Sequence, residues 1–163
     1  MSETAAVPSS SVDRVRAALV AAGHADNVTE FPEGTRTAEE AAASVGCTVA
    51  QIAKSIVLRA GERAVVVIAS GANRVDAAKV SAALGVPVKR ADAEFVRAAT
   101  GFAIGGVAPI GHITPPLLVF DRDLLSISPI WAAAGSPRHV FRTEPAELLR
   151  ITGALAADIR QDV

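Results

Sequence analysis

Four glycines and a proline fall within one stretch of otherwise mostly apolar residues, Thr100 to His112, read as Thr-Gly-Phe-Ala-Ile-Gly-Gly-Val-Ala-Pro-Ile-Gly-His. A merely connecting loop carries more polar turn residues. An apolar, glycine-rich loop lets the backbone approach another molecule with few side chains in the way, as the floor of a small-molecule pocket requires. Within it, Gly105, Gly106, Val107, Ala108 and Pro109 stand in sequence. Successive N–H groups there could converge on one point, as an oxyanion hole requires for acyl transfer or hydrolysis. Pro109 would stiffen the loop by fixing its own backbone angle. The same five residues also suit a buried turn between a helix and a strand, and the residues alone leave both readings open.

Lys54 is the second candidate, set in Gln51-Ile52-Ala53-Lys54-Ser55-Ile56-Val57-Leu58 at the start of an expected strand. A lysine in such apolar company either snorkels to the surface or is held in a pocket, where an ammonium suits a phosphate or a developing negative charge. Asn73, Arg74, Asp76 and Lys79 cluster after a strand and read as a solvated helix start. His112 follows the glycine loop, and His139 ends Gly135-Ser136-Pro137-Arg138-His139; either could be an acid, a base, a ligand contact or a structural residue. Ser70, Ser128 and Ser136 lack the Gly-x-Ser-x-Gly setting of a nucleophile elbow. Cys47 has no histidine near it in sequence and reads as a core residue.

Composition narrows the class. The chain has 163 residues, 50% of them hydrophobic and 20% charged, which suits a single globular domain with a substantial core. Tyr is absent and Trp occurs once, which argues against a broad aromatic RNA-stacking surface. The net charge of -1 argues against non-specific grip on long nucleic acid, but leaves room for a local basic patch that reads a short end. A single cysteine suits a reducing compartment, and three scattered histidines show no metal spacing. Neither a signal peptide nor a membrane-length apolar run is apparent, so a cytoplasmic location is expected.

Several elements must position the candidates. The spacing predicts a helix over Ser11 to Ala22 capped by Ser11, and a short strand over Val28 to Phe31 before the turn Pro32-Glu33-Gly34. Thr37 and Glu40 fit a capping box for an alanine-rich helix that stops at Gly46. A helical turn over Val49 to Ala53 delivers Lys54. Strands over Ser55 to Arg59 and Ala64 to Ala69 form an antiparallel hairpin. Asp76 caps a helix that ends at Gly85, Val86 to Arg90 reads as a strand, and Asp92 caps a helix through Ala99. Strands at Leu117 to Phe120, Ile130 to Ala134 and Val140 to Arg142 precede a last helix, Ala146 to Thr152, with Pro145 in its first turn. Residues 155–163 read as a loosely held tail and residues 1–10 as a flexible segment. The alternation with hairpin-like connections favours a mixed α+β domain over a doubly wound parallel sheet.

Five blocks in fixed order are more specific than any one of them. They are Thr37 to Ala42, Ile52 to Val57, Ser70 to Asp76, Thr100 to His112, and Ala134-Gly135 through Pro145 to Gly153. Together they closely resemble the YbaK and prolyl-tRNA synthetase-associated editing domains, free-standing aminoacyl-tRNA deacylases, over residues 11–154. The resemblance implies an α+β single domain whose central, largely antiparallel mixed sheet curls partly into a barrel flanked by helices. It implies hydrolysis, in trans, of the ester between a wrong amino acid and the 3′ end of a tRNA, often a tRNA for proline carrying Cys or Ala. It implies no metal and no cofactor, with positioned water or the substrate's own hydroxyl or thiol doing the attack.

By that resemblance Lys54 matches the family's lysine, which engages the terminal nucleotide. Gly105 to Pro109 match its Gly-x-x-x-Pro loop, which holds the ester carbonyl, so Lys54, Gly105, Gly106 and Pro109 are the expected catalytic set. Gly101, Val107, Ala108, Gly111, His112, His139, Asn73 and Arg74 are the expected substrate contacts. Arg36, Lys54, Arg74, Lys79 and Arg90 are candidates for a basic rim. The implied partners are the aminoacyl-tRNA 3′ end and prolyl-tRNA synthetase, with no membrane association. The rival readings are a non-catalytic module that binds an aminoacyl-tRNA end or a synthetase, and a hydrolase for another small acylated molecule.

Overall fold

The structure, a computed structural model, describes residues 10–32, 34–35 and 37–162. The expectations for residues 1–9, for Glu33 in its turn and for Arg36 on a basic rim lie outside the described residues. The element order is α1 (Ser11–Ala21), β1 (Thr29–Glu30), α2 (Ala38–Val45), β2 (Ile52–Ala60), β3 (Arg63–Ser70), α3 (Ala77–Leu84), β4 (Lys89–Arg90), α4 (Ala93–Thr100), β5 (Leu117–Asp121), β6 (Ile130–Ala133), β7 (His139–Thr143), α5 (Pro145–Thr152) and β8 (Leu155–Ala157). This is a mixed α+β domain with a central mixed sheet flanked by helices. The strand order is β1-β7-β6-β2-β3-β5-β8, with β4 branching onto β2. Pairs β1–β7, β2–β3, β2–β4 and β6–β7 are antiparallel, and β2–β6, β3–β5 and β5–β8 are parallel.

Strand β3 is the axis of the core. Its run Ala64 to Ser70 is buried throughout, and a strand buried on both faces reads as a continuous apolar run rather than an alternating one. Val66 and Ile68 join the larger cluster with Leu19, Phe102, Phe120 and Phe141. Val65, Val67 and Ala69 point the other way, against Val80, Val119 and Ile159. That is the period of two expected of a pleated strand.

Local signals place most boundaries. Thr37 Oγ1 accepts the Glu40 amide while Glu40 Oε1 accepts the Thr37 amide, and Gly46 closes α2 in the left-handed region. Asp76 and Asp92 cap α3 and α4. The cap of α1 is Ser10 rather than Ser11: Ser10 Oγ accepts the Asp13 amide, and Ser11 Oγ donates to Gly135 O instead. The segment expected to turn helically as far as Ala53 is a short 3-10 turn, Val49–Gln51, so Lys54 is the third residue of β2. The strand expected over Val86 to Arg90 shrinks to Lys89 and Arg90, because Pro87 has no N–H for a ladder and the Val88 amide is taken by Ser81 Oγ.

The largest departure is the C-terminal segment. Far from being loosely held, Leu155–Ala157 pair in parallel with Val119–Asp121. Ile159 is fully buried, and its carbonyl accepts the Asp76 amide. Gln161 donates to Arg74 O and Val75 O, and Lys79 Nζ donates to Asp158, Asp162 and the Arg160 carbonyl. Lys79 is thus committed to holding this strap and does not belong to a basic rim. Truncating the fully buried Ile159 to alanine should cost about 2–4 kcal/mol, read as a lower denaturant midpoint with an unchanged slope. A wild-type midpoint would show that the strap contributes nothing to the fold.

Candidate functional site

Strand β2 is paired with β3 along nearly its whole length, but its other edge is shared. Strand β6 takes Ile52 and Ala53, and β4 takes Leu58 and Arg59. Between them, Lys54 to Val57 have no strand neighbour on that side among the described residues, which leaves the peptide groups facing away from β3 without a ladder partner there. A cleft of about 780 Å³ opens at this gap. Lys54, Ser55 and Ile56 form one wall. Asn73 and Arg74 enter from the turn after β3, Ile104, Gly105 and Val107 from the glycine loop, and Ser136 and His139 from the β6–β7 hairpin. Glu39 enters from the first turn of α2 and Trp131 from β6.

Of the two readings of Lys54, the pocket one is realised. Its ammonium makes no hydrogen bond or ion pair among the described residues. Burial pushes it below the ordinary lysine value; Glu39 opposes that shift, Arg74 adds to it, and Asp121 opposes it. An unpartnered, partly desolvated cation is a costly feature unless it meets an anion. Beside it, Ser55 Oγ is the one buried side-chain polar atom among the described residues that lacks a hydrogen-bond partner. Such an atom wants an acceptor or donor from something bound in the cleft.

Asn73 is not the solvated helix start expected of it. It is buried, and its Nδ2 donates to Asp121 Oδ2 at 2.8 Å and to Asp123 Oδ2 at 3.0 Å. Asp121 is itself buried and also accepts the Ser70 amide at 3.0 Å and the Asp123 amide at 2.9 Å. This carboxylate pins the turn that carries Arg74 into the cleft. Arg74 remains exposed. Arg90 lies on β4 and is absent from the cleft lining.

The glycine loop divides into residues that line the cleft and residues that hold the loop. Gly105, at φ +97°, and the buried Val107 line it, and neither amide makes a hydrogen bond within the described residues. Gly106 does not line it: its N–H donates to Ala103 O at 3.0 Å, and a Cβ there would stand 2.8 Å from Ser136 Cα. Gly106 therefore lets the loop lie directly on the hairpin, and the free donors are its neighbours. Ala108 and Pro109 are buried beneath. Gly101 and Gly111 are the loop's two ends, where Arg14 donates to both carbonyls, at 2.8 and 3.3 Å, while its guanidinium stacks over Phe102.

The two histidines part company. His139 lines the cleft, its Nδ1 lying 2.6 Å from Ser136 Oγ and its Nε2 4.0 Å from Glu30 Oε2. His112 lies outside the lining: its ring packs edge-on against Phe102, and Nε2 lies 2.8 Å from Ala108 O. A carbonyl can only accept, so Nε2 carries the proton. Burial is the main cause holding the His112 pKa down to about 4, with the Ala108 carbonyl opposing and Arg14 assisting. Cys47 packs half-buried beside Ala41, Ala42 and Ile52. Glu39, Ser55 and Ile104 fall inside the ordered blocks without being singled out as site residues, and Trp131 lies outside them; the adjacency of Ser55 to Lys54 and of Ile104 to the glycines was the signal available for two of them.

His112 carries a pH dependence of stability. It is neutral in the fold, while in the unfolded chain it takes up a proton near pH 6.5. Between about pH 6.5 and 4 the unfolded state binds more protons, so stability must fall as pH falls through that window, by about 3 kcal/mol in total. Chemical denaturation across that window should show the decline in wild type and a shallower one in His112→Gln, which keeps a donor for Ala108 O. Identical slopes in the two proteins would remove His112 as the cause.

The chain and its fold are similar to those of known proteins. Residues 32–151 match the family model described as aminoacyl-tRNA editing domain. The chain is 31% identical over 124 residues to the uncharacterized protein YwhH of Bacillus subtilis (strain 168), covering 76% of this chain and 79% of that one. A crystal structure provisionally described as a trans-editing enzyme for prolyl tRNA synthetase superposes with a TM-score of 0.87 at 46% identity, covering 93% of this chain and 98% of the other. The hypothetical protein APE2540 superposes with a TM-score of 0.84 at 30% identity, over 91% and 99% of the two chains. The family match spans both Lys54 and the glycine loop, and the chain belongs to the aminoacyl-tRNA editing domain family.

Proposed function

We propose that the protein is a trans-acting hydrolase that removes a small wrong amino acid, such as Cys or Ala, from tRNA for proline. The observation that carries this reading is a single cleft holding both a lysine and backbone donors that have no partner among the described residues. The ester carbonyl sits against the amides of Gly105 and Val107, which stabilise the oxyanion as it forms. Gly106 and Pro109 act through the shape of the loop. Lys54 and Arg74 take the phosphate and ribose of the terminal nucleotide, and His139 borders the amino-acid side. Water, or a thiol or hydroxyl of the substrate, adds to the carbonyl carbon. The bond to the ribose oxygen breaks, and that oxygen leaves with the proton of the attacking group. An ester is an activated acyl group, so orientation and oxyanion stabilisation supply much of the acceleration without a nucleophilic triad.

The near-neutral net charge suits a protein that grips only an acceptor end, and prolyl-tRNA synthetase is the partner whose errors it would clear in the cytoplasm. The test is hydrolysis of a panel of tRNAs charged with alanine, cysteine, serine, threonine or proline, on tRNA for proline and on their own tRNAs. Lys54→Ala should slow turnover of the preferred substrate by about 10²-fold, the cost of a misplaced substrate. Its melting temperature should not fall, since the ammonium bonds to nothing in the described residues. Turnover near wild type in Lys54→Ala, or none across the panel from folded wild-type protein, would overturn the proposal.

A further inference from the structure

The charge arrangement of the cleft is more specific than a basic patch. Among the described residues that line it there are two cations, Lys54 and Arg74, and one carboxylate, Glu39. Glu39 is the second residue of α2, where an acid is favoured by the helix dipole alone. The capping role in this turn is filled by Glu40, whose carboxylate closes the box with Thr37. The Glu39 side chain instead borders the cleft, with no hydrogen bond or ion pair among the described residues. A carboxylate and two cations lining one cleft match a ligand that carries both a positive charge and phosphate. The terminal residue of an aminoacyl-tRNA is such a ligand, with an α-ammonium on the acyl group and phosphate on the nucleotide.

We infer that Glu39 receives the α-ammonium of the aminoacyl group, so that the site selects esters of amino acids with a free amine over uncharged acyl esters. This inference rests on the proposed deacylase reading and narrows its substrate class. The carboxylate holds the acyl end while Lys54 and Arg74 hold the nucleotide, in the cleft that the glycine loop also lines. Loss of the amine, by replacement or blocking, leaves Glu39 facing an uncharged group.

The test uses two non-hydrolysable probes, 3′-deoxyadenosine bearing an alanylamido group and the same nucleoside bearing a lactylamido group, in which a hydroxyl replaces the amine. Their affinities are measured by calorimetry on wild type and on Glu39→Gln. Wild type should bind the alanyl probe about fivefold more tightly, the range of an ion pair open to solvent. Glu39→Gln should bind the two alike. The wild-type preference should also fade as pH rises through about 8, where an α-amine loses its proton. Equal binding of the two probes by wild type, a preference retained in Glu39→Gln, or no binding of either would overturn the inference. The deacylation panel separates this from the parent reading: hydrolysis by wild type with any of those binding results sinks Glu39 alone, whereas no hydrolysis sinks the parent reading.

Discussion

The site depends on one interrupted edge. A strand inside a sheet ordinarily has both rows of its peptide groups satisfied, and leaving a stretch unpaired is costly unless solvent or a ligand replaces the missing neighbour. Strand β2 is interrupted in this way over Lys54 to Val57, between the ends of β6 and β4. Extending either neighbour would close the cleft. On one side the chain leaves the sheet just after Arg90, where Asp92 caps α4, so β4 does not run on beside Val57. The gap sits beside β3, whose run Ala64 to Ser70 is buried throughout, so it opens from the middle of the sheet rather than from its margin.

Around the gap, each wall is tied down from a distance. Arg14 of α1 holds Gly101 and Gly111 with one guanidinium, which fixes the span of the glycine loop while leaving its tip open. Asp121 at the end of β5 gathers the Ser70 amide and Asn73, and so fixes the turn that carries Arg74. The C-terminal strap backs the same turn through Gln161, and Lys79 clamps the strap. The polar groups doing this work are satisfied by one another. The partly buried Lys54 ammonium and the buried Ser55 Oγ, on β2 itself, are the contrast: among the described residues they have no hydrogen-bond partner. That difference separates groups that build the cleft from groups left to act in it.

The same distinction explains what could be read from the chain. The caps of α2, α3 and α4, the glycine stops and the β2–β3 hairpin depend on neighbours within a few residues, and these were legible. Asn73 was misread because its partner Asp121 lies 48 residues further on. The anchoring of Gly101 and Gly111 could not be read from the chain, because the residue that holds their carbonyls, Arg14, lies 87 and 97 positions away. The tail was misread because an isolated short segment shows no periodicity, and its order comes from β5, α3 and the turn between β3 and α3. Ser11 lost its expected cap to Ser10 because Gly135 claims its hydroxyl. Glu39 was invisible for a similar reason: only the fold shows that Glu40 takes the cap and Glu39 takes the cleft.

The central claim is that the aminoacyl end binds in the gap of β2 against the free amides of the glycine loop. Amide chemical shifts, followed while the alanylamido nucleoside is added, test it most directly. The account predicts large changes at Lys54, Ser55, Gly105 and Val107, and only small ones at Gly101, Gly106 and Gly111, whose groups are bound within the fold. Changes confined to other surfaces, with Lys54, Gly105 and Val107 unmoved at saturation, would contradict it.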